Sequence, residues 1–252
     1  MYGDILLGIS IPLFGTVLGA ACVFFFGRRT NRRVQRAIEG FSTGVMVAAA
    51  IWSLLIPSME LARGRGIPAA VPAASGFLCG IVCFLLCDGF IRKMMAGRSA
   101  ESHKKIISVF AVAVHNLPEG MAVGAIYAEI LCGSNAVDLS AALALSIGIA
   151  VQNFPEGAIV SMPVNSCGLG KARSFLVGAL SGVVEPIGAV LTLLAAGLAI
   201  PLLPYLLGFA AGAMMYAVLK EFTGDGEGGD TSWVLAFSAG FVLMMSLDVF
   251  LG

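Results

Sequence analysis

Charge is what this sequence has least of. Only 12% of its 252 residues are Asp, Glu, Lys or Arg, about half of what a soluble domain needs to cover its surface, and 58% are hydrophobic. Water is therefore the wrong solvent for most of the chain. Net charge is zero and no basic run is long enough to grip a nucleic acid, which excludes that partner. The opening stretch Met1–Asp4 lacks the positive residues of a signal peptide, and no small-residue cleavage site follows, so the first apolar run is expected to be a retained helix. The six cysteines give no disulfide framework. Cys79, Cys83 and Cys87 recur at i, i+4, i+8 and read as small packing residues, and Cys132 and Cys167 fall in loops on opposite sides of the topology derived below.

Apolar runs are what the sequence has in plenty. Stretches long enough to cross a hydrocarbon core of about 30 Å occur near 5–26, 41–59, 69–91, 106–130, 136–163, 174–200, 202–221 and 232–251. This predicts an all-α membrane protein of eight transmembrane helices, a single transporter-sized domain over 1–252. The sharpest connection is Pro201-Leu-Leu-Pro204, which must turn the chain within four residues. Basic residues provide an independent check. Thirteen of the fifteen Lys and Arg fall in the odd-numbered loops, and only Arg63 and Arg65 lie on the other side. The positive-inside rule then makes the odd loops cytoplasmic and both termini extracytoplasmic, and the absence of long soluble domains points to a multi-pass protein of the plasma (inner) membrane. Small-xxx-small pairs at Gly15/Gly19, Gly76/Gly80, Gly120/Gly124, Gly178/Gly182 and Gly208/Gly212 allow close helix packing. The acidic, glycine-rich loop 224–230 lacks calcium-loop spacing and reads as a solvated turn.

No Lys or Arg lies within the core of a predicted span, yet Glu119, Glu156, Glu185 and Asp248 do, with Glu60 and Asp88 nearer span ends. A carboxylate at the bilayer centre costs about 2.5–3.5 kcal/mol or more unless it is neutralised. Without an internal base, neutralisation means protonation, a water-filled cavity or a bound cation. Two of these residues sit in matched hexapeptides, His115-Asn-Leu-Pro-Glu-Gly120 and Gln152-Asn-Phe-Pro-Glu-Gly157, offset by 37 residues in helices that run antiparallel. Helical spacing brings His115, Asn116 and Glu119 to one face, and Gln152, Asn153 and Glu156 to another. Imidazole nitrogen, amide oxygen and carboxylate oxygen suit a borderline divalent ion. Pro118 and Pro155 release the carbonyls of Val114 and Val151, a kink that a membrane helix tolerates where it faces a cavity or an ion. The glycine after each Glu leaves room for another helix to come close. Glu185, just before Pro186, adds a third carboxylate beside a kink.

The paired hexapeptides, in the fourth and fifth of eight spans with both termini outside, resemble the ZIP (Zrt-, Irt-like protein) metal transporters, and most of all the prokaryotic subgroup with HNxPEG and QNxPEG or QDxPEG motifs. The resemblance implies a binuclear centre. One metal would be bound by His115, Glu119, Gln152 and Glu156, and the other by Asn116, Glu119, Asn153, Glu156 and Glu185. It also implies that helices 1–3 and 6–8 form an inverted repeat around helices 4 and 5, and that the ion moves toward the cytosol by an elevator-like alternating movement. Gln152 stands where many relatives have His, and Asn153 where some have Asp. The short loop between spans three and four carries only His103, read as a solvated residue. The expected substrate is Zn2+, with Fe2+, Mn2+, Co2+ and Cd2+ as alternatives, and no separate cofactor. The expected partners are the ion and the lipid bilayer, with a homodimer as the assembly to look for. Glu60, Asp88 and Asp248 are candidate pathway residues. An intramembrane metalloprotease is disfavoured, because Asn116 follows the histidine where HExxH chemistry needs a glutamate. A proton pathway through Glu119 and Glu156, or a proton-coupled carrier of another solute, is the rival reading.

Overall fold

The computed structural model describes residues 2–26, 31–94, 100–133, 138–166, 168–224 and 231–251. Among the described residues there are helices and turns but no strand. Helix α1 (Tyr2–Ala21) ends in a 3-10 turn, Cys22–Phe24. Helix α2 (Arg32–Ala49) runs through a π-helical segment, Ala50–Leu55, straight into α3 (Ile56–Gly64). Then come α4 (Ala70–Met94), α5 (Ala100–Leu131), α6 (Leu139–Ser166), α7 (Lys171–Ser181), α8 (Val184–Leu194), α9 (Ala196–Gly224) and α10 (Thr231–Leu251). Because α2 continues into α3 and α7 into α8, these segments make eight columns. Seven columns among the described residues are long and apolar enough to cross a membrane. The eighth, α5, is 32 residues long and contains the apolar run at 106–130. The fold class expected from composition is the one the chain adopts.

Local chemistry sets the column boundaries. The Asn31 side chain caps α2 by accepting a hydrogen bond from the Arg33 N–H at 3.0 Å. Asp138 caps α6 through the Ala141 N–H and the Ser140 hydroxyl, both at 2.8 Å, and these bonds hold its carboxyl below the usual carboxylate range. The sixth column breaks at Gly182–Val183. Pro186 has no N–H to give to the Gly182 carbonyl, and the Glu185 N–H takes that carbonyl at 3.1 Å. Glu185 thereby enters the first turn of α8.

The turn expected at Pro201–Pro204 is not formed. The chain turns at Ala195, and α9 runs on through both prolines. An outside donor makes this tolerable, because the Ile200 carbonyl that Pro204 leaves without its helical partner accepts from Arg65 Nη1 at 2.7 Å.

Five close pairings assemble the bundle: α1 along α6, α2 along α10, α4 along α9, α5 along α8, and α5 along α9. Backbone-to-backbone approach at small residues brings them together. Gly120 and Gly157, the last residues of the two hexapeptides, are two such places. A Cβ at Gly120 would lie 2.1 Å from the Glu185 carbonyl oxygen, and one at Gly157 would lie 2.1 Å from that of Thr16. The room anticipated after each Glu is thus taken up by α8 and α1.

The two ends of the bundle are tied differently. At the end carrying the N-terminus, Arg65 at the end of α3 makes two bonds to Glu129 near the end of α5, at 2.8 and 3.0 Å. At the opposite end, Lys171 Nζ donates to the Phe24 carbonyl at 2.7 Å, and Lys220 of α9 forms an ion pair with Asp88 of α4. The expectation that no base neutralises the acidic residues is corrected at Asp88, because Lys220, placed by sequence at the edge of its span, reaches back to it.

Candidate metal centre

Three columns bring buried polar side chains to the middle of the bundle. From α5 come Asn116 and Glu119, from α6 Gln152, Asn153 and Glu156, and from α8 Glu185, none of them more than 4% exposed. The same proline and glycine pattern explains their convergence. Each proline stays inside a continuous helix, and the glycine after each Glu lets a neighbouring column come to backbone contact beside it.

Glu185 is the anchor of the group. Its Oε1 accepts hydrogen bonds from Asn116 Nδ2 at 3.0 Å and from the Thr16 hydroxyl at 3.2 Å, and its Oε2 accepts from Asn153 Nδ2 at 2.8 Å. The two hexapeptide asparagines, from different helices, thus grip one carboxylate symmetrically. Spending their N–H groups on Glu185 leaves their oxygens elsewhere, and Asn116 Oδ1 and Asn153 Oδ1 are buried with no hydrogen-bond partner. Both carboxylate oxygens of Glu119 and the amide oxygen of Gln152 are in the same condition. Glu119 lies beside Gln152 and within electrostatic reach of Glu185, which in turn feels Glu156.

Burying a polar atom without a partner costs about 1–3 kcal/mol, and more when it is charged. Here several acceptor oxygens share one small interior volume. Their common deficit is positive charge, the deficit that a cation answers. Among the described residues, no three His, Cys, Asp or Glu side chains close into a ready-made cage, and the donor set brought together here consists of carboxylate and amide groups. That set is rich in oxygen and free of thiolate, which favours a hard or borderline ion.

The side chains of His115 and His103 lie outside the described residues, as do residues 225–230 of the acidic loop. Glu60 is exposed on α3. Asp88 is held at one end of the bundle by Lys220 and by the Tyr216 hydroxyl at 3.2 Å. Asp248 accepts the Ser53 hydroxyl at 2.6 Å and lies against Gly148, one helical turn from Gln152. Thr16 was not singled out by sequence reasoning. A threonine in an apolar span beside Gly15 carries no signal until α1 is known to lie against α6 and α8.

Residues 101–225 match the family model described as ZIP Zinc transporter. The chain is similar to Zinc transporter ZIP11 of Xenopus tropicalis, 33% identical over 98% of this chain and 97% of that protein. It is also similar to Zinc transporter GufA of Myxococcus xanthus, 32% identical over 97% and 98%, and to Zinc transporter ZIPB of Bordetella bronchiseptica, 34% identical over 99% and 82%.

Proposed function

The chain belongs to the ZIP zinc transporter family, and from that premise we propose how it moves a divalent metal ion, zinc first among them, across the membrane toward the cytosol. The observation that carries the reading is the group of partnerless acceptor oxygens on Asn116, Glu119, Gln152 and Asn153, arranged around an anchored Glu185. The ion arrives from the extracytoplasmic side, sheds most of its water, and is held by His115, Glu119, Gln152 and Glu156, with Asn116, Asn153 and Glu185 joining the two glutamates to hold a second ion beside it. Its charge offsets that of the carboxylates, which lowers the cost of enclosing them. The columns bearing the site then move against the rest in an elevator-like step, and the ion meets the cytosol. Both termini face outward and the membrane is the plasma (inner) membrane. The crowding of Lys and Arg into the odd loops supports this orientation.

The test is zinc uptake by purified protein in proteoliposomes, with cadmium and manganese as competitors. Saturable zinc uptake is expected, and the competition order ranks the substrates. Proton movement without metal movement would overturn the proposal and assign the carboxylates to a proton pathway.

A further inference from the structure

A cleft opens where the start of α2 faces the end of α6. Gln35 and Glu39 line it from α2, and Ala158, Ile159, Met162 and Pro163 line it from α6. Gln35 and Pro163 are exposed at its mouth, whereas Ala158 and Met162 are buried at its floor. The cleft shares a face of α6 with the central site, because Glu156, Ile159 and Pro163 stand at i, i+3 and i+7. Met162 lies about 9 Å along the helix axis from Glu156, at 1.5 Å per residue. On the facing helix, Gln35, Glu39, Ser42 and Met46 form a second stripe at i, i+4, i+7 and i+11. Ser42 and Met46 are buried and touch each other, hydroxyl to sulfur, at 3.9 Å. Buried Ser42 and Met46 thus continue, toward the interior, the stripe of α2 that carries Glu39 at the cleft.

The geometry points to this cleft as a transit site for the divalent ion leaving the central group, with the Glu39 carboxylate as its charged ligand. The inference rests on the transport reading above. Two further donors are built in. Pro163 has no N–H, so the Ile159 carbonyl is excused from the helical ladder at the wall of the cleft. Met162 adds a polarisable thioether at the floor. Gln35 Nε2 donates to Glu39 Oε1 at 2.9 Å, and this bond holds the carboxylate on the cleft side of α2. One charged ligand with neutral helpers suits a site that the ion must leave again, since conduction needs binding weak enough for release. A solvated helix-face glutamate bound to its i−4 glutamine would have the same exposure, but it would not influence the ion.

Glu39→Gln separates the two cases. Uptake of zinc into proteoliposomes should fall about tenfold in maximal rate, with the half-saturating concentration on the outer side unchanged. The rise in unfolding temperature that zinc gives the central site should also be unchanged, and Glu39→Asp should recover most of the rate. Wild-type uptake by Glu39→Gln overturns the inference, and so does a joint loss of uptake and zinc protection, which would make Glu39 a structural residue. As a second measure, Met162→Cys is labelled with a thiol reagent and followed by peptide mass spectrometry. Zinc should slow labelling at that position, and equal rates with and without zinc overturn the site. If wild-type protein itself takes up no zinc, the transport reading fails first, and the Met162→Cys protection result still judges the cleft.

Discussion

Replacing Glu119 with Gln changes one oxygen for an NH2 group and leaves the shape intact, so its consequences divide by whether metal is present. Glu119 is wholly buried, neither of its oxygens has a hydrogen-bond partner, and Glu185 lies within electrostatic reach. In the metal-free protein this carboxylate is a burden, and the substitution removes it. The metal-free variant should therefore unfold at the wild-type temperature or above it. With zinc the sign reverses. Taking one partner from a buried charge pair costs about 3–5 kcal/mol, which at about 1.4 kcal/mol per decade weakens binding by two to three orders of magnitude or slightly more. At a hundredfold excess of zinc over its dissociation constant, the wild type should gain about 2.7 kcal/mol, and at the same zinc concentration the variant should gain almost none. Thermal unfolding in detergent, with and without zinc, measures both halves. Uptake into proteoliposomes should fall by a similar hundredfold or more. An undiminished zinc-induced shift in the variant, or a metal-free variant markedly less stable than wild type, would refute the reasoning that Glu119 is a metal ligand and not a packing group.

Two other outcomes follow from the packing. Gly120→Ala and Gly157→Ala each place a methyl 2.1 Å from a carbonyl oxygen of a neighbouring column, so each should lower stability by about 1–3 kcal/mol, and a thermal melt on which either variant matches the wild type would show that the columns can separate at no cost. Arg65→Gln should cost about 3 kcal/mol by taking the guanidinium from a Glu129 side chain that is 3% exposed and from the Ile200 carbonyl, while Arg63→Gln, read by the same melt, should change little.

Much of this architecture is legible in the sequence, and what is not has definite causes. Span count and class follow from hydropathy, a property of single residues summed along the chain. The central group follows from the repeated Asn-x-Pro-Glu-Gly, because i+3 and i+4 spacing fixes which residues share a face. What spacing within one helix cannot give is the partner across the gap. That the two asparagines turn their N–H groups to Glu185, and that Thr16 joins them, depends on how α1, α5, α6 and α8 are set side by side. The misplaced turn at Pro201–Pro204 has the same origin. A proline reads as a break until a donor from elsewhere, here Arg65, takes the carbonyl it releases. Asp88 looks uncompensated along the chain because Lys220 is 132 residues away.

The π segment in the second column bears on how such a bundle could move. The Ile56 N–H bonds to the Ile51 carbonyl, five residues back, so the column carries one residue more than a regular helix would there. Its two halves are consequently out of phase. Below the segment, Ser42 and Met46 are turned to the interior, and within and above it Ser53 meets Asp248 and Ser58 meets the Pro204 carbonyl. A straight α-helix could twist one half against the other only by giving up hydrogen bonds. In this column the slipped bond already exists, and shifting it along by a residue exchanges one backbone pairing for the next. The column therefore has a built-in dislocation at which its halves can rotate relative to each other.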